Sequence, residues 1–72
     1  MPNYIINKNS QSNGDHEVHN TTTGCYYMPN QENQINLGYH ASCHDAVSDA
    51  KSRWPNNKIN GCYYCCNACN TG

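Results

Sequence analysis

The sequence predicts a small α+β domain: an antiparallel sheet with one helix packed on one face, stapled by cysteines. Three observations predict it. Ile35, Leu37 and Tyr39 alternate with Asn36, Gly38 and His40, the period of a strand with one buried face. Cys43, Ala46, Val47, Ala50 and Trp54 recur at helical spacing and form one stripe. Six cysteines stand in a chain of 72 residues that lacks Phe altogether. A chain that short buries little apolar surface, so a covalent or metal staple has to supply what the core does not. Residues 1–72 are read as a single domain.

The elements follow in order. Tyr4-Ile5-Ile6 is a short β-branched and aromatic run. A polar segment then ends on Asn13-Gly14, a strong turn signal, before His16-Glu17-Val18-His19-Asn20 reads as a second strand, so the pair suggests a hairpin. The first Gly24-Cys25-Tyr26-Tyr27 is strand-like, and Pro29 to Asn33 is a polar loop. After the alternating strand at 35–39, Ser42 is placed as a helix N-cap with Asp45 three residues on, an acidic variant of the capping box. Asp49 and Arg53 form an i,i+4 pair of favourable sign, and Pro55-Asn56-Asn57 stops the helix. Ile59 to Cys66 reads as the last strand, running into a cysteine-rich tail. In this scheme Trp54 and the stripe alanines press on Ile35, Leu37 and Tyr39.

Composition narrows the function. Mean hydropathy is −0.95, yet charged residues are only 12%, which is not the usual signature of disorder. Net charge is −1 with four Lys+Arg, too little positive charge to track a phosphate backbone. A protein partner is therefore expected over nucleic acid, with a small-molecule ligand also open. No stretch is apolar enough to cross a membrane, and Met1 to Ile6 lacks the basic and apolar regions of a signal peptide. A cytoplasmic location is expected. Thiols stay reduced there, which tilts the cysteines from disulfides toward metal.

Cys62-x2-Cys65-Cys66-x2-Cys69 is the densest chemistry in the chain. C-x2-C is the spacing at which a tight turn brings two sulfurs onto one tetrahedral ion, with Zn–S near roughly 2.3 Å. Two such pairs abut, however, and adjacent Cys65 and Cys66 point to opposite faces of an extended chain. Two or three of the four are expected to share a site, the rest of the ligands coming from Cys25, Cys43 or a histidine. Cys43 opens the helix on its buried stripe and is expected to meet Cys62 or Cys66. It also reads as a small buried hydrophobe, or as a thiolate favoured by the helix N-terminus. His16, on the Val18 face of its strand, and His40 are weaker candidate ligands. Zinc is the preferred cofactor; disulfides are the alternative.

The peptide Gly-Cys-Tyr-Tyr occurs twice, at residues 24–27 and 61–64. If both copies are strands with one inward cysteine each, their pairing brings Cys25 near the C-terminal cluster. Tyr26, Tyr27, Tyr39, Tyr63 and Tyr64 exceed what a small core needs, and in paired strands some must face outward, Tyr26, Tyr27, Tyr63 and Tyr64 forming the expected binding surface. Exposed Tyr among Asn suits recognition, since Tyr offers rigid area and Asn adaptable hydrogen bonds. No nucleophile elbow, Walker loop or H-E-x-x-H stands in the sequence, and catalytic residues are not assigned.

The portion LGYHASCHDAVSDAKSRWPNNKINGCYYCCNAC, with the upstream NGDHEVHN, resembles a group of small uncharacterised bacterial Cys-rich proteins. They share an Asn-Gly-x-His-Glu-Val-His opening, a strand–helix segment and a GCYYCC-x2-C ending. The resemblance implies a bacterial or phage origin and a reduced cytosol, and it implies no activity. In that group a histidine often follows the last cysteine; here that position is Asn70.

Together these readings anticipate a small cysteine-stapled, preferably zinc-stabilised, non-catalytic binding module that meets a protein through its Tyr and Asn face. The alternatives are a phage or bacterial small-molecule-binding inhibitor and a secreted disulfide-rich peptide.

Overall fold

The computed structural model describes residues 1–71. Four strands and one helix follow the order β1 (Asn3–Asn7), β2 (Asp15–Asn20), β3 (Gln34–Tyr39), α1 (Cys43–Arg53) and β4 (Lys58–Gly61). Short 3-10 turns at Gln31–Asn33 and Asn67–Cys69 precede β3 and close the tail. The α+β class with one helix on one face holds, and so does the hairpin: β1 and β2 pair antiparallel, with Ile5 opposite His19 and Ile6 opposite Val18.

The sheet order is β3-β1-β2-β4. It is mixed rather than wholly antiparallel, because β4 joins β2 in parallel, Val18 facing Gly61. The physical reason is the connection. A helix between β3 and β4 reverses the chain, so the strand after it returns in the direction of the strand before it. β3 and β4 thus occupy opposite edges, and α1 crosses one face between them.

Tyr4, Ile6, Val18 and Leu37 form the core on the helix side, with Ala46 and Ala50 fully buried against them. The helical stripe is the one the spacing predicts. Asp49 and Arg53 do pair, at 3.1 Å. Ser42 stands at the N-cap with extended backbone, but its side chain makes no capping bond.

One alternation fails. Ile6 pairs with Ile35 and Ile5 with Asn36, but Tyr4 pairs with Gly38. Leu37 is therefore an extra residue, a bulge, and everything after it changes face. Leu37 stays buried in the core while Tyr39 is turned outward, 68% exposed. Tyr39 does not join the surface beneath α1 that the strict period of two assigns to it.

Candidate metal centre

The carboxyl ends of β2 and β4 lie side by side, and the chain leaving each of them turns back over that end of the sheet. His19, the penultimate residue of β2, is completely buried there. Its neighbours are sulfurs. Cys25 Sγ lies 3.6 Å and Cys65 Sγ 3.5 Å from His19 Nδ1, and Cys25 Sγ lies 3.8 Å from Cys62 Sγ. One ligand atom from each of His19, Cys25, Cys62 and Cys65 falls within 4.8 Å of every other. This cluster can hold a metal ion.

The distances test that statement. Four ligands at ordinary zinc bond lengths define a tetrahedron with edges of about 3.75 Å between sulfurs and about 3.55 Å between sulfur and nitrogen. The three separations match those edges closely. His19 supplies a second sign. Its Nε2 is buried with no hydrogen-bond partner among the described residues, and Glu17 Oε1 stands 3.7 Å away. An ion on Nδ1 fixes the proton on Nε2 and points it at that carboxylate, the arrangement in which an outer partner orients a metal-bound imidazole. Burial lowers the His19 pKa, so the imidazole is kept neutral and its nitrogen free to ligate. Burial is also the main cause that raises the Glu17 carboxyl, with a Gln11 hydrogen bond pulling the other way.

The thiols carry the opposite perturbation. Burial pushes the Cys25 thiol up and the Cys62 thiol up to about 12. A hydrogen bond with Cys66, then burial, raises Cys65 further. Without a cation these groups hold their protons; a bound divalent ion replaces them. Backbone donors are already aimed at the sulfurs that would carry charge. Asn20 N–H points at Cys65 Sγ over 3.3 Å, and Tyr64 N–H at Cys62 Sγ over 3.4 Å.

The repeated peptide finds its explanation here. Neither copy is a strand: Cys25 and Cys62 each open a turn. Tyr64 N–H faces the Cys62 sulfur two residues back, and Tyr27 N–H stands in the same relation to Cys25. Each Cys-Tyr-Tyr is therefore a turn that presents a sulfur inward and cradles it with the second tyrosine's amide. Equivalent residues of the copies meet, Cys25 against Cys62 and Tyr27 against Tyr64, whose rings stack at 4.6 Å. Tyr26 and Tyr63 stand edge-on to their neighbours at 5.8 and 5.1 Å, so four rings run in one row. All four are exposed, Tyr26 almost completely. The two glycines differ in purpose. Gly24 turns the chain at φ 69°, whereas a Cβ on Gly61 would meet Cys69 Cβ at 2.7 Å.

The remaining sequence candidates lie elsewhere. Cys43 shares the buried core with Cys62 and Cys66, but its sulfur is bonded to Cys69 in a disulfide, with Cα atoms 6.2 Å apart. Among the described residues Cys25, Cys62, Cys65 and Cys66 are free thiols. Cys66 is buried beside the cluster but is not one of the four residues that converge. His16 binds Asn7 O through Nδ1 at 3.1 Å, away from every sulfur. His40 donates from Nε2 to Leu37 O and faces Asp49 at 3.4 Å. The histidine that joins the cluster is His19, which alternation sets on the face opposite Val18. Both are fully buried, because Cys25 and Cys65 close over that second face. A five-residue spacer to Cys25, followed by C-x2-C, is the signal that pairs His19 with three cysteines.

No helix among the described residues is long and apolar enough to cross a membrane. Comparison with family models, with curated proteins and with solved structures finds no match.

Proposed function

We propose that this chain is a zinc-stabilised, non-catalytic binding module that meets a protein partner through its row of tyrosines. One observation carries the reading: the turns that supply Cys25, Cys62 and Cys65 are the same turns that hold Tyr26, Tyr27, Tyr63 and Tyr64 outward. An ion in the cluster would lock both turns and so set the ring row. Three thiolates and one imidazole suit zinc, and four protein ligands close its coordination, which is the structural rather than the catalytic arrangement. Large, rigid, half-polar rings with few rotatable bonds are the side chains that anchor protein interfaces.

Native mass spectrometry of the oxidised chain tests the ion: one zinc, lost on acidification and held less tightly by Cys25→Ser, is the expected result. The partner arm compares cross-linked complexes of the wild type with those of Tyr26→Ala/Tyr63→Ala. A protein retained by both equally refutes the tyrosine face, and an oxidised chain that binds no zinc refutes the centre.

A further inference from the structure

A second group of ligand side chains lies away from His19. Cys43 is the first residue of α1, His44 follows it, and the tail brings Cys69 across to bond with Cys43. One ligand atom from each of the three lies within 4.8 Å of the others. Cys43 is buried, Cys69 half-buried and His44 exposed, so the group opens to solvent on one side. That side is a groove of about 620 Å³ lined by His44, Ser48, Lys51, Ser52, Cys69 and Thr71, among others. The Cys43–Cys69 bond is thus reachable from outside, and its imidazole neighbour is in place on the open side.

We infer that Cys43, His44 and Cys69 form a second, redox-gated metal site, which takes a soft divalent cation once the disulfide is reduced. The chemistry balances with a dithiol reductant. The dithiol gives up two electrons and two protons and closes into its own disulfide; the Cys43–Cys69 bond breaks and two thiols remain. A divalent cation then displaces those two protons and binds two thiolates and the neutral imidazole. The Cys43 thiolate sits at the positive end of α1, which favours its charge and makes it a good leaving group in the reduction. The sulfurs move apart only from the covalent distance of about 2.05 Å to the tetrahedral edge of about 3.75 Å. Three protein ligands leave one position free, facing the groove, for water or an incoming anion. The two sites therefore differ in kind: the His19 centre is closed, and this one is open and exists only in the reduced chain.

The experiment counts metal in the full-length chain with zinc alone as the probe. Oxidised protein and protein reduced on an immobilised dithiol resin are each loaded anaerobically and weighed by native mass spectrometry. The reduced chain should carry one zinc more than the oxidised chain, and His44→Ala should lose that increment while keeping the first ion. Cobalt in place of zinc should show added sulfur-to-metal charge-transfer absorption only after reduction. An unchanged metal count on reduction overturns the inference, as does an increment that His44→Ala and Cys43→Ser/Cys69→Ser both retain. If the double cysteine variant fails to fold, His44→Ala, whose disulfide is untouched, still decides. An oxidised chain with no zinc and a reduced chain with one, lost in His44→Ala, refutes the His19 centre and supports this site.

Discussion

Zinc binding at the His19 centre should expel three protons at pH 7. Burial raises the thiols of Cys25 and Cys62, and the Cys66 hydrogen bond with burial raises Cys65, so all three are protonated in the metal-free chain near neutrality. Burial lowers His19, so the imidazole brings no proton to lose. Three thiols become thiolates and one neutral imidazole stays neutral, which gives a net release of three. Affinity must then rise with pH, by about tenfold per proton per unit, or about a thousandfold per pH unit. The assay is calorimetric titration of the oxidised chain with zinc in two buffers of different ionisation enthalpy. Oxidation keeps Cys43 and Cys69 out of the count. Cys25→Ser should drop the release to two and the slope to about a hundredfold per unit. Cys66→Ser should leave it at three, since Cys66 is not among the four converging residues. A release of one or none in the wild type, or a count that Cys25→Ser does not change, refutes the ligand set.

Three further outcomes follow from the packing. Because His19 is lowered on folding, the unfolded chain takes up the proton first as pH falls; stability is full above the unfolded value of about 6.5 and declines below it. His19→Gln should flatten that decline in urea midpoints measured from pH 7 to 5. Gly61→Ala places a Cβ 2.7 Å from Cys69 Cβ and 2.8 Å from Cys66 O, so backbone must move, at a cost of about 3 kcal/mol, seen as a lower urea midpoint with unchanged slope. Replacing both Cys43 and Cys69 by Ser opens a loop of 26 residues and should remove about 3.5 kcal/mol in zinc-saturated denaturation.

What the sequence made legible was whatever depends on near neighbours. The α1 stripe was readable because Cys43, Ala46 and Ala50 all answer to one partner surface, the sheet. The β1–β2 hairpin was readable because Asn13-Gly14 is a local turn. Tyr39 was misplaced because one unpaired residue, Leu37, reverses the alternation, and no local pattern marks that bulge. The Gly-Cys-Tyr-Tyr copies read as strands on composition, but local backbone hydrogen bonds, Met28 N–H to Cys25 O and Cys66 N–H to Cys62 O, close them as turns. Alternation favours His16 over His19 because it identifies a face without saying what covers it. On β2 both faces are covered at one end, and one of the covering residues, Cys65, lies 46 residues further along the chain. The disulfide between Cys43 and Cys69 depends on where the tail crosses α1, which spacing does not encode.

The division of the cluster between the two ends of the chain has a consequence for biosynthesis. His19 and Cys25 are made early and Cys62 and Cys65 late. At about 5–20 residues per second, the ribosome takes between about 2 and 8 s to go from Cys25 to Cys65. Throughout that interval the nascent chain holds only half a chelate, an imidazole and a thiol with no counterpart, and β2 lacks the parallel neighbour that borders it. The His19 cluster is therefore complete only when the second Cys-Tyr-Tyr turn arrives.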